Sequence, residues 1–158
     1  MKLDSDTTRQ PTLSAAGREV AIVSARFNDR LVQMMRAGAE AAWLRHGGEL
    51  TQLRCYEVPG AYELPLAAKA LAQRHAAVIA LGCVIRGDTA HFDFVAGECA
   101  RGLMQVGLET GVPIIFGVLT VENEAQALER ADPARMNKGG EAMEAAIEMA
   151  MLLEQIRG

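Results

Sequence analysis

Several features that would mark common protein classes are missing from this chain of 158 residues. It has no long run of basic residues, and its formal net charge of −4 comes from interspersed acidic and basic side chains. The phosphate backbone of a nucleic acid is therefore not its expected main partner, although a small anion can still bind locally. Cysteine is scarce. Cys55, Cys83 and Cys99 are odd in number and lack close metal-type spacing. That pattern points to buried thiols in a reducing compartment rather than a disulfide framework or a zinc site, and no metal is expected. The opening residues, Met1 to Gln10, contain no apolar signal core, and no later segment is apolar for long enough to cross a bilayer. A cytoplasmic location is the expectation. Internal repeats and low-complexity tracts are absent as well.

What is present is apolar residues at about half of all positions, enough to bury one substantial core and too short a chain for two ordinary domains. Residues 1–17 read as a flexible arm and 18–158 as a single domain. The run Val20 to Val23 reads as a buried strand. Asn28 or Asp29 can cap a following helix whose apolar positions Leu31, Met34, Met35, Ala42 and Trp43 recur at helical spacing until Gly47 and Gly48 stop it. A second strand falls within Glu49 to Val58, and a helix starts near Glu63 or Pro65. The run Ala76 to Ile85 is the strongest central strand; Asp88 or Thr89 can cap the helix after it, which extends to about Thr110. Ile114 to Leu119 makes a fourth strand, followed by a short helix from Glu124 and a longer one from Gly140. Four strand–helix units with one extra helix predict a three-layer α/β/α sandwich around a four-stranded parallel sheet, flavodoxin-like in architecture.

Ligands of such sheets gather outside the carboxyl ends of the strands, which directs attention to residues 25–29, 59–63, 86–91 and 120–123. His91 stands at a predicted helix start, where the positive end of the dipole disfavours a second positive charge, so an uncharged imidazole could accept a proton. The same residue could equally be an incidental helix-start histidine. Amides around Gly87, Asp88 and Thr89 can face an anion at that terminus. Phe27 offers a flat apolar face or, more blandly, a core side chain. Ala61, Tyr62 and Glu63 form a turn whose amides and carboxylate suit hydroxyl groups, and a glutamate near a helix start is also simply stabilising.

The segments ARFN at Ala25 to Asn28, VPGAYELP at Val58 to Pro65, GCVIRGDTAHFDFV at Gly82 to Val95 and GVPIIFGVLT at Gly111 to Thr120 resemble lumazine synthase, in that family's order. TVENEAQALERA at Thr120 to Ala131 and NKG at Asn137 to Gly139 extend the resemblance over almost all of the chain beyond the arm. The resemblance implies an enzyme that joins 5-amino-6-ribitylaminouracil to 3,4-dihydroxy-2-butanone 4-phosphate, giving 6,7-dimethyl-8-ribityllumazine, phosphate and water. By the same resemblance His91 is the proton shuttle. The uracil and its ribityl chain meet Phe27, Ala61, Tyr62, Glu63, Val84, Ile85, Phe116 and Lys138. The phosphate is held by Gly87, Asp88, Thr89 and Arg130, with Phe116, Lys138 and Arg130 reaching in from a neighbouring subunit. Without the motif context Phe116 reads as core, and Arg130 and Lys138 as solvated charges. Arg86 serves either an ion pair or a subunit contact.

No cofactor is expected, since the amine is already nucleophilic, the ketone electrophilic and phosphate a good leaving group. The family implies a homopentamer with sites between subunits, and association with riboflavin synthase. The connector Asp132 to Met136, with Pro133 in its path, leaves pentamer, decamer and sixty-subunit shell all open. A flavin- or lumazine-binding protein without catalysis, or a shell-forming scaffold, is the alternative on the same framework.

Overall fold

A computed structural model describes residues 9–158. Its strands are β1 (Val20–Ala25), β2 (Leu53–Val58), β3 (Ala77–Ile85) and β4 (Ile114–Val121). The α-helices are α1 (Asp29–Arg45), α2 (Leu64–Ala72), α3 (His91–Thr110), α4 (Glu124–Ala131) and α5 (Lys138–Arg157), with short 3₁₀ turns at Leu50–Gln52 and Ala61–Glu63. All strand pairs are parallel in the order β2-β1-β3-β4, which puts β4 at one edge of the sheet.

Alternation along the central strands divides the core into two layers. Val20 and Ile22 of β1 with Ile79 and Leu81 of β3 face α1, α4 and α5; Ala21, Val23, Val78 and Ala80 face α2 and α3. The expected three-layer α/β/α sandwich with a flavodoxin-like parallel sheet is what forms. Ile22, Ile79, Leu81, Met143 and Ile147 are all fully enclosed, and each such side chain stabilises the fold by roughly 1.5–3 kcal/mol relative to an exposed one. Trp43 closes the end of α1, wholly buried, its Nε1–H donating to Glu49 O at 2.9 Å.

Three helix starts differ from the reading of the sequence. Asn28 does precede α1, but in the left-handed region (φ 60, ψ 43) and with no side-chain capping bond. The residue before α3 is Ala90 rather than Asp88 or Thr89, and no side chain caps it in the usual way; the Thr89 hydroxyl accepts instead from His91 N–H at 3.3 Å. Helix α5 begins at Lys138, two residues before the expected Gly140, because Asn137 (φ 49) turns the chain and accepts from Gly140 N–H at 3.2 Å.

Of the expected arm, residues 1–8 lie outside the described residues. The rest approaches the core: Leu13 packs on the layer containing α1 and α5, and Ala15 is fully buried and donates its N–H to His46 O, while Arg18, the first residue of the expected domain, reaches Glu154 at 2.7 Å. Among the described residues no helix is long and apolar enough to cross a membrane.

Candidate active site

A cleft of about 710 Å³ opens above the carboxyl ends of β1 and β3, beside the turn that follows β2 and under the first turn of α3. Phe27, Ala61, Tyr62, Glu63, Val84, Ile85, Gly87, Thr89 and His91 all line it. The size suits a small organic ligand. Each strand delivers its part through local geometry. The β1–β2 ladder continues past both strand ends through Arg26 N–H to Val58 O at 2.8 Å and Phe27 N–H to Pro59 O at 3.2 Å, so Phe27 rises over the opening. At 71 % exposure its ring is no core side chain. Glu63 ends the 3₁₀ turn that follows Gly60, with its N–H on Gly60 O at 3.2 Å, and its exposed carboxylate faces the cleft. His91 is the first residue of α3, so its ring sits where the unpaired amides of the first turn concentrate positive potential. Gly87 and Thr89 lie just before it, placing an aromatic face, a carboxylate, an imidazole and an anion-receptive terminus around one space. Asp88 is exposed next to this cleft and is not part of its wall.

The remaining residues lie elsewhere. Phe116, Arg130 and Lys138 line a second cleft of about 440 Å³ on the outer side of β4, together with Met35, Thr120 and Glu141. Phe116 is 45 % exposed, which removes its reading as a core residue. Arg130 is half-buried, its guanidinium donating to Gln126 O at 3.1 Å and lying 3.9 Å from Glu129. Lys138 pairs with Glu141 at 2.7 Å along the first turn of α5.

Arg86 is engaged within its own chain. Its Nε donates to Glu122 at 2.9 Å, a terminal nitrogen lies 3.4 Å from Asp93, and the guanidinium sits 4.3 Å above the Phe92 ring. It thereby ties the end of β3 to the end of β4 and to the turn bearing His91, the ion-pair half of the expectation.

The sequence did not single out Cys83, Phe92, Phe94 or Val95 as cleft residues. Phe94 had a readable signal, since it lies three residues after His91 and so on the same helical face. Cys83 had none; it is almost completely buried, and burial pushes its thiol up to about 11. Among the described residues no group of three His, Cys, Asp or Glu side chains is arranged to hold a metal ion.

Fold and cleft together define a parallel α/β protein with a small-molecule site where the strands of its sheet end. Residues 17–154 match the family described as 6,7-dimethyl-8-ribityllumazine synthase, and the chain belongs to that family. Among proteins of that name, it is 50 % identical over 149 residues to one from Deinococcus radiodurans, covering 93 % of this chain and 96 % of the relative. It is likewise 50 % identical over 151 residues to one from Thermus thermophilus, covering 94 % and 96 %. A relative from Chlorobium chlorochromatii is 50 % identical over 147 residues, covering 92 % and 95 %.

Proposed function

We propose that this chain catalyses the condensation of 5-amino-6-ribitylaminouracil with 3,4-dihydroxy-2-butanone 4-phosphate to 6,7-dimethyl-8-ribityllumazine, phosphate and water, the penultimate step of riboflavin biosynthesis. One observation carries the reading: a single cleft presents Phe27, Glu63, the end of β3 and His91 together. The uracil ring stacks on Phe27, with its polar edge toward the backbone at Val84 and Ile85. The ribityl hydroxyls meet Glu63 and the amides of Ala61 and Tyr62. The butanone phosphate lies at the α3 terminus, on the backbone amides from Gly87 to Thr89, with Asp88 contributing no more than its amide because its side chain lies outside the cleft wall.

The reaction follows from that placement. The uracil amine attacks the ketone, and loss of the first water leaves a Schiff base. Phosphate then departs as the proton on the hydroxyl-bearing carbon is removed, the resulting enol tautomerises to a ketone, and the ribityl-bearing nitrogen closes the ring on that new carbonyl with loss of the second water. His91 accepts and returns the protons of these steps, a contribution of about 10²–10⁴-fold for a well-placed acid–base group. Holding two reactive molecules side by side supplies the larger part, since effective molarities reach about 10⁵–10⁸ M.

Phe116, Lys138 and Arg130 complete the site from the adjacent subunit of a homopentamer. Their collection in a separate cleft at the β4 edge supports this division. So does the apolar surface along that edge, where Met104, Leu108, Phe116 and Met149 are exposed around a further groove. Mixing the purified protein with both substrates and following lumazine absorbance with phosphate release tests the activity; no product with either readout refutes it. His91→Ala is expected to lower turnover about 10²-fold or more with assembly intact, and unchanged turnover removes His91 from the chemistry.

A further inference from the structure

Asn28 occupies a position where its side chain would ordinarily cap α1, yet it makes no capping bond. Its carboxamide points the other way, and Nδ2 donates to Cys83 O at 2.8 Å, from the end of β1 to the end of β3. The register between β1 and β3 ends at Ser24 opposite Leu81, so the carbonyl of Cys83 lies beyond the last residue of β3 that β1 pairs with. A carbonyl left at the end of a ladder needs a partner, and the Asn28 amide takes the place of a strand neighbour. The backbone of Asn28 adopts the left-handed conformation (φ 60, ψ 43), which asparagine tolerates better than most residues and glycine tolerates best.

The residue just before it is Phe27, whose N–H is fixed to Pro59 O at the end of β2. The residues just after Cys83 are Val84 and Ile85, which form the facing wall. Phe27 is thus suspended between two strand ends, one reached through its own N–H and the other through the side chain of its neighbour. We infer that Asn28 is a positioning residue for the first substrate, its amide-to-carbonyl tether setting the gap between the Phe27 ring and the end of β3 into which the uracil slides. The inference rests on the reading that Phe27 carries the uracil ring. Backbone tolerance alone does not explain asparagine, because glycine would serve that purpose without a tether.

The two roles separate cleanly. Asn28→Gly preserves the left-handed backbone and removes the tether, while Asn28→Asp keeps the size and backbone tolerance but turns a donor into an acceptor facing the Cys83 carbonyl. With butanone phosphate saturating and the uracil varied, Asn28→Gly is expected to raise the KM for the uracil about three- to ten-fold, the loss expected for one hydrogen bond. Asn28→Asp should raise it at least as far. The KM for butanone phosphate should stay within about two-fold for both, because the α3 terminus is not tethered through Asn28. In a cycle with Phe27→Ala, the double variant Phe27→Ala/Asn28→Gly should be scarcely worse than Phe27→Ala alone, since the tether then has no ring to place. A KM for the uracil unchanged in Asn28→Gly while Phe27→Ala raises it overturns the inference. Equal rises in both KM values, or losses that multiply in the double variant, overturn it too, since either marks a general structural role. If Phe27→Ala itself leaves the KM for the uracil unchanged, it is the placement of the ring on Phe27 that fails.

Discussion

Replacing Gly139 with alanine tests how closely the packing of α1 on α5 controls both the fold and the second cleft. Gly139 is buried at the second position of α5, and a Cβ there would overlap the carbonyl oxygen, carbonyl carbon and Cα of Met35 in the middle of α1. Met35 is fully enclosed, and the obstruction is backbone, so no rotamer change relieves it. The helices must separate. Overpacking of this kind costs typically 1–3 kcal/mol, and a clash with backbone belongs at the upper end, about 3 kcal/mol. For a domain of this size each kcal/mol lowers Tm by roughly 2–4 °C, so a fall of about 6–12 °C is expected. The displacement also moves Lys138, the adjacent residue, and with it the cleft it shares with Met35 and Phe116. Thermal unfolding followed by circular dichroism at matched protein concentration measures the first effect, and steady-state kinetics the second. A Tm within about 2 °C of the parent protein would refute the packing argument.

Two further expectations concern ionisable groups. Burial on its own would raise the Glu144 carboxyl, but hydrogen bonds from His46 at 3.1 Å and Arg45 at 2.9 Å outweigh it and hold the group below the usual carboxylate range. A depressed folded value stabilises above the unfolded value and loses that effect as pH falls through the folded one. Glu144→Gln should therefore destabilise the protein slightly at pH 7, by less than about 1 kcal/mol at this partly exposed site, and the variant's Tm should converge on the parent's as pH falls below the usual carboxylate range; parallel curves across that window would contradict it. Burial also pushes the Cys83 and Cys99 thiols up to about 11, so at pH 8 only roughly one part in a thousand is thiolate. A thiol reagent should modify both slowly in folded protein and promptly after unfolding, and rapid labelling of either in the folded state would overturn the burial argument.

The strands were legible because their physics is local. The run through β3 is apolar at every position from Ala77 to Leu81 since helices cover both faces of a central parallel strand, and no alternation is needed. The helix starts were less legible, for particular reasons. Ala90 carries no polar side chain to announce the start of α3. Gly140 read as the start of the last helix, yet α5 begins two residues earlier, with Gly139 placed where the Met35 backbone of α1 leaves no room for a side chain and Gly140 where the Asn137 side chain leaves none. Phe27, Glu63 and His91 were accessible from sequence because each follows a strand, and strand ends in such a sheet converge. The partners of Arg86 were not: Glu122 meets it only because Ile85 lies opposite Val121 in the β3–β4 register, a pairing that the sequence does not specify. That Phe116, Arg130 and Lys138 collect apart from His91 was implied only by the family resemblance and not by the residues themselves, since it depends on β4 being an edge strand.

That separation makes the proposed sharing of sites between subunits testable without a structure of the assembly. Suppose each site takes His91 from one chain and Arg130 from the next around a closed ring. His91→Ala and Arg130→Ala assemblies should then both be impaired, the second chiefly through a raised KM for butanone phosphate, because a guanidinium binds phosphate by charge-assisted donors. In rings co-assembled from equal amounts of the two variants, a site is intact when the chain supplying His91 is the Arg130→Ala variant and its neighbour is the His91→Ala variant. Random placement makes that about one site in four, and those sites carry an unaltered KM. Were both residues drawn from the same chain, every site would lack one of them and co-assembly would restore nothing. With butanone phosphate well below the raised KM, where the Arg130→Ala assembly is slow as well, activity should therefore rise to about a quarter of the parent value when the variants are unfolded and refolded together, and remain near the average of the separate assemblies when they are mixed already folded. Co-refolded rings that perform no better than that average would show that Arg130 and His91 do not meet across a subunit boundary.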